Sequence, residues 1–141
     1  MPSADTIILD THVWLDIAFG RGRIATRIMR KVDAAATDGA LYIAAISCWE
    51  VAMLVQGGKV RVNGPVIQWL TRTLHVTRTA VAAFEPAIAV DAVELPAWDH
   101  RDPANRIIVA TARHLGGLLV TRDSGILAYA GSARAVQAVE P

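Results

Sequence analysis

Short apolar runs alternate along this chain with longer stretches in which apolar positions recur every three or four residues. Thr6 to Asp10 (Thr-Ile-Ile-Leu-Asp) is short and rich in branched side chains, which predicts a first, buried strand. Thr11 to Ala18 predicts a short helix, stopped by the turn Gly20-Arg21-Gly22. Between 24 and 36, Ile24, Ile28, Val32 and Ala35 fall on one helical face. Leu41 to Ala44 predicts a second strand. Ser47 then caps a helix running to about Gln56, which Gly57-Gly58 stops.

Pro65 opens the next helix, with Val66, Trp69, Leu70 and Leu74 as its stripe. Thr77 to Ala80 predicts a short strand, and Pro86 to Val93 a helix. Pro103 starts a longer helix that turns Ile107, Ile108, Thr111, Ala112 and Leu115 to the core and closes at Gly116-Gly117. Leu118 to Thr121 is a strand, Ser124 to Tyr129 a helix, and Arg134 to Val136 a last short strand. Strands alternating with helices argue for a mainly parallel sheet between two helix layers. The expected fold is a three-layer α/β/α sandwich, a single domain over residues 1–141.

Composition narrows the classes. With 53% hydrophobic and 19% charged residues, the chain is a folded domain, not a disordered one. The nearest approach to a membrane helix, Leu41 to Val55, is interrupted by Ser47 and Glu50. The N-terminal residues lack a basic region and an apolar signal segment, so a cytoplasmic protein is expected. Cys48 is alone, which excludes an internal disulfide and a cysteine-based zinc site. A net charge of +1 leaves a nucleic-acid partner open. Of the 14 positive residues only Lys31 and Lys59 are lysine, and arginine offers a planar fork for phosphate.

The chemistry lies in acids at the ends of core segments: Asp10, Glu50, Asp102 and Asp123. Carboxylates at such places cost free energy unless something pairs them. In an α/β sheet the carboxyl ends of the strands face one crevice. Acids gathered there form a cup of oxygen ligands for magnesium or manganese, suited to metal-assisted phosphodiester cleavage. Each acid also has a simpler reading. Asp10, Asp102 (before Pro103) and Asp123 fit helix N-caps, and Ser47-x-x-Glu50 fits a capping box. The functional case rests on four acids following one rule. No glycine-rich phosphate loop or nucleophile elbow is present, and no paired zinc spacing joins the histidines. Of those, His100 is expected nearest the acids, with the others as surface or packing residues.

In order, Leu9-Asp10-Thr11-His12-Val13-Trp14, Ile46-Ser47-Cys48-Trp49-Glu50-Val51, His100-Arg101-Asp102-Pro103-Ala104-Asn105-Arg106 and Leu119-Val120-Thr121-Arg122-Asp123 resemble the four motifs of PIN-domain ribonucleases. The group most resembled is the VapC-type toxins of prokaryotic toxin–antitoxin pairs. The resemblance spans nearly the whole chain. It implies a magnesium- or manganese-dependent endoribonuclease that cuts transfer or ribosomal RNA and leaves a 5′-phosphate and a 3′-hydroxyl. Asp10, Glu50 and Asp123, with Asn105 or Asp102, would hold the metal, and Thr11 would assist beside them. It also implies a homodimer and a cognate antitoxin whose C-terminal segment covers the acids.

One departure stands out. The third motif of this group usually reads Asp-Pro-x-Asp-Arg, and here Asn105 replaces the second Asp. Asn brings an oxygen but no charge, so weaker metal binding and reduced turnover are expected. Arg101, Arg106 and Arg122 flank the acids as candidate contacts to the RNA backbone, against the plainer reading of solvated charges at helix ends. Trp14 and Trp49 could stack on unpaired bases or simply pack. Two rivals remain: a binding module that holds RNA or antitoxin without cutting, and a metal-dependent phosphohydrolase acting on DNA or a small phosphate ester.

Overall fold

β1 (Ile7–Leu9) has no exposed residue and lies in the middle of a five-stranded, wholly parallel sheet. A computed structural model describes residues 5–99 and 101–141. Along the chain follow α1 (Thr11–Phe19), α2 (Thr26–Thr37), β2 (Leu41–Ala44), α3 (Ala45–Gln56), α4 (Val66–Val76) and β3 (Ala80–Ala82). Then come α5 (Pro86–Glu94), α6 (Pro103–Leu115), β4 (Leu118–Val120), α7 (Ser124–Ala133) and β5 (Gln137–Val139). The strand order is β3-β2-β1-β4-β5, so the chain runs outward from β1 in one direction and then returns to build the other side.

Alternation along β1 explains the layers. Ile7 and Leu9 pack with Val13, Trp14, Ile28, Val32, Val51 and Leu70 from α1 to α4. Ile8, pointing the opposite way, packs with Ile108, Val109, Ala112, Ile126 and Tyr129 from α6 and α7. A strand buried on both faces has to be apolar throughout, and β1 is. The expected three-layer sandwich is the observed one. Trp14 belongs to its core: the ring is wholly buried and its Nε1 donates to Thr79 Oγ1 at 3.2 Å. It cannot stack on a base. Trp49 is 55% exposed and remains on the surface.

Three boundaries differ from the sequence reading. The strand expected at 77–80 forms at Ala80–Ala82, because Thr77 ends α4 and Arg78 takes a φ of 51°. The strand expected at 134–136 forms at Gln137–Val139: α7 continues to Ala133, and Arg134 closes it at a φ of 54°. Helix α3 starts at Ala45, with Ala44 as its N-cap, so Ser47 does not cap it. At the start of β4, a Cβ on Gly117 would collide with the Ile8 side chain and lie 2.9 Å from the Thr6 carbonyl. Only glycine lets the chain cross that close to β1. Among the described residues no helix is long and apolar enough to cross a membrane.

Candidate active site

The carboxyl ends of β1, β2 and β4 lead to Asp10, Glu50 and Asp123, and the start of α6 brings Asp102. Leu9 pairs with Val120 in register, so the next residues, Asp10 and Thr121, leave the sheet side by side. Asp10 caps α1 by accepting from the Thr11 amide at 2.8 Å through Oδ1. Its Oδ2 accepts from the Thr121 hydroxyl at 2.6 Å. Thr121 is wholly buried and also accepts the Asp123 amide at 3.0 Å, so one hydroxyl ties Asp10 to the turn that carries Asp123.

Asp102 and Asp123 are N-caps as well, accepting from the Ala104 and Ile126 amides at 2.9 and 2.8 Å. The capping reading is therefore correct for these three aspartates, and it does not compete with the functional one. Capping occupies Oδ1 in each case and orients the carboxylate at a helix N-terminus, where partial positive charge favours an anion.

Glu50 is different. Its Oε1 accepts from the Thr11 hydroxyl at 2.6 Å, with Ser47 Oγ 2.8 Å from the same Thr11 oxygen. Thr11 has one hydroxyl proton and an ionised carboxylate can only accept, so that proton goes to Glu50 and Ser47 donates to Thr11. The capping box expected from Ser47 and Glu50 is replaced by this relay. Both hydroxyls are buried, and no described buried side-chain oxygen or nitrogen is left without a partner.

The electrostatics show that the acids share one field. Burial pushes the Asp10 carboxyl above its usual range, and the charge of Asp123 adds to the rise, against hydrogen bonds from Thr121 and Thr11 and the nearby His12. Burial likewise raises Glu50, and the charges of Asp10 and Asp102 raise it further. A group of carboxylates that repel one another inside a partly dry site is short of positive charge. His12, exposed on α1, lowers both groups, so it lies near the acids where the sequence reading had placed His100. His100 lies outside the described residues.

Asn105 does not stand idle. Its Nδ2 donates to Asp123 Oδ2 at 3.1 Å. Arg101 is exposed beside Asp102, and Arg106 is half-buried in the first turn of α6. Arg122 departs from the expectation of a cation waiting for phosphate. It pairs with Asp16 at 2.6 Å and donates to the Arg23 carbonyl at 2.7 Å. It fastens the 20–25 loop to the turn before Asp123.

Sequence reasoning passed over Thr121 and Ser47 as site residues. The signal for Thr121 was present: a hydroxyl at the end of a strand that must neighbour β1, two residues before an acid. Ser47 carried no such signal, because Ser-x-x-Glu reads more simply as a cap.

The donors fit a hard divalent cation. All are oxygens, and Asp10 and Glu50 are already stripped of much of their water. Among the described residues no three Asp, Glu, His or Cys side chains form a ready-made metal cage. Magnesium does not require one, since it is usually held by one or two carboxylates and keeps several waters.

Comparison with known proteins agrees with this geometry. The model of the PIN domain family matches residues 7–132. Ribonuclease VapC22 of Mycobacterium tuberculosis (strain ATCC 25618 / H37Rv) is 34% identical over 118 residues, covering 84% of this chain and 87% of its own. Among solved structures, FitAcB from Neisseria gonorrhoeae aligns with a TM-score of 0.60 at 23% identity, covering 94% of this chain and 95% of that one. FitAB bound to an IR36 DNA fragment aligns with a TM-score of 0.60 at 20% identity, covering 96% and 94%. At those identities the two structures speak for the fold.

Proposed function

This chain belongs to the PIN domain family, and we propose that it acts as a metal-dependent endoribonuclease, the toxin of a type II toxin–antitoxin pair. The observation that carries the reading is the shared field of Asp10, Glu50, Asp102 and Asp123 at one end of the sheet, with Asp10 and Glu50 raised by burial. Identity to a ribonuclease over most of the chain supports RNA as the substrate over DNA or a small phosphate ester.

Asp10, Glu50 and Asp123 would hold magnesium or manganese, with Asp102 adding charge from the edge. When bound, the cation supplies positive charge where the phosphodiester gathers negative charge, and it makes water more acidic. The chain's own residues do the rest. Thr11 fixes Glu50 through Oε1, which leaves Oε2 to take a proton from the attacking water. Thr121 holds Asp10 and the Asp123 turn at fixed spacing, so the ligands need little rearrangement. Attack on phosphorus breaks its bond to the 3′ oxygen, which takes up a proton, giving a 5′-phosphate and a 3′-hydroxyl. Arg101 and Arg106 grip the flanking phosphates. A cognate antitoxin covers the acids, its arginine competing with the cation for the same carboxylates. The toxin acts as a cytoplasmic homodimer.

The test is cleavage of mixed cellular RNA by purified protein, with manganese and with EDTA, and Asp10→Asn as the control for a contaminating nuclease. Cleavage that needs both metal and Asp10 supports the reading. Cleavage indifferent to either would refute it. One observation favours a second reading, a feeble or inactive PIN module: the Asn105 amide occupies an oxygen of Asp123. No cleavage by the natural chain, with cleavage gained on Asn105→Asp, would select that reading.

A further inference from the structure

A second basic feature lies away from the flanking arginines of α6. Helix α2, strand β5 and helix α7 enclose a surface groove of about 660 Å³, and Arg27, Lys31 and Arg134 line it. Its floor is aliphatic, with Leu118, Leu127 and Val136 among its residues, and no Asp or Glu lines it. Arg27 and Arg134 are exposed and have no acidic partner among the described residues. Among the described residues Lys31 meets only the Asp5 carboxylate, at 3.7 Å, and Asp5 is itself 76% exposed, so that pair is open to screening. Arg27 and Lys31 are four residues apart on α2 and therefore stand one above the other on one helical face.

The groove approaches the candidate active site at one end. Its end at Val139 and Leu127 abuts the turn between β4 and α7: the Val139 carbonyl accepts from the Thr121 amide, and the Leu127 amide donates to the Asp123 carbonyl. Arg122, next to Asp123, holds the Arg23 carbonyl just before α2, which fixes the start of that helix against the same turn. Arg27 and Lys31 line the α2 side of the groove, and Arg134 closes α7 at the end opposite its Asp123 cap.

We propose that this groove binds the phosphate backbone of the RNA strand flanking the cut, with Arg27, Lys31 and Arg134 as its contacts. The proposal rests on the ribonuclease reading. Surface cations, two without an acidic partner among the described residues and one in a loose surface pair, over an aliphatic floor suit a polyanion whose bases can lie on apolar surface. A peptide would rely on the free edge of β5, and a strand of three residues offers few main-chain groups.

The test compares the natural chain with the triple variant Arg27→Gln, Lys31→Gln, Arg134→Gln, using Lys59→Gln on the α3–α4 turn as the charge control. Binding of a fluorescent single-stranded oligouridylate is measured in EDTA over a range of salt, with a melting curve for each protein. Three lost phosphate contacts should lower the slope of log affinity against log salt by about 2, and weaken binding roughly tenfold near physiological salt. The control should bind like the natural chain. A folded triple variant with unchanged affinity and slope would overturn the proposal. So would displacement of the oligouridylate by polyglutamate at equal charge with no loss in the triple variant. Cleavage of cellular RNA with manganese is scored separately. If the natural chain cuts RNA while the groove variant binds unchanged, only the groove falls. If the natural chain neither binds nor cuts, the ribonuclease reading falls with it.

Discussion

The side-chain amide of Asn105 donates to Asp123 Oδ2 at 3.1 Å, so a neutral residue occupies an oxygen that the proposed cation would use. The contact offsets part of the repulsion among the site's carboxylates. An aspartate at 105 would instead set two carboxylates against each other and make the site depend on the cation. Asn105→Asp should therefore lower the melting stability in EDTA by about 1.5–3 kcal/mol, the usual worth of a hydrogen bond to a charged group. It should also enlarge the stabilisation produced by manganese and raise RNA cleavage. Melting curves with and without manganese check both signs. Lower stability with no added manganese response would show that position 105 does not reach the cation.

Thr121 should matter more than its place outside the acid set suggests. Its hydroxyl donates to Asp10 and accepts the Asp123 amide, and it is wholly buried. Thr121→Val keeps the shape and removes both bonds. The expected cost is about 2–4 kcal/mol, because a buried carboxylate and a backbone amide each lose a partner. Cleavage should fall at least tenfold, while Thr121→Ser should restore most of both. Failure of serine to rescue would mean that the methyl group's packing, not the hydroxyl, sets the site.

These hydroxyls mark the boundary of what the sequence disclosed. The layers were legible because β1 is apolar throughout and α2 and α6 carry clear stripes, and the acids stood out as polar residues at the ends of apolar runs. Ser47 and the Arg122 anchor were not legible, and Thr121 showed only as a hydroxyl at a strand end two residues before an acid. Their roles depend on which strand lies beside which, and on the direction a side chain takes after leaving the sheet. The Ser47–Glu50 spacing suggested a local bond, yet the partner of Glu50 is Thr11, 39 positions away. Helix ends shifted for a similar reason: buried Val136 closes the core before β5 begins, so the last strand starts later than its composition suggests.

The raised Glu50 carboxyl predicts a pH dependence with a definite sign. A carboxyl whose folded pKa lies above its unfolded value favours the fold below the unfolded pKa, near 4.5, and loses that contribution as pH rises through the folded pKa. In EDTA at neutral pH the ionised Glu50 therefore costs stability. Glu50→Gln removes the charge and still offers Thr11 an acceptor oxygen. The variant should melt higher than the natural chain at pH 7 to 8, and the difference should vanish near pH 4. Magnesium should shrink the difference by stabilising only the natural carboxylate. Urea titrations across that pH range measure it, and a difference independent of pH would exclude Glu50 as the burdened group.

Gly22 tests whether the 20–25 loop must stay fastened to the site. Its φ of 78° is one that other residues rarely adopt, and a Cβ there would lie 2.7 Å from Asp16 Oδ2, the oxygen that pairs with Arg122. Gly22→Ala combines backbone strain with pressure on that ion pair, and about 1–3 kcal/mol should be lost. The surface pair itself is worth little, so Arg122→Met should cost under about 1 kcal/mol. Their effects on cleavage should diverge from their effects on stability. Arg122→Met frees the loop beside Asp123 and should reduce turnover several-fold in a protein that is still well folded, because Arg122 holds the Arg23 carbonyl at the start of α2. Equal losses of stability and turnover in the two variants would mean that the loop contributes to the fold alone.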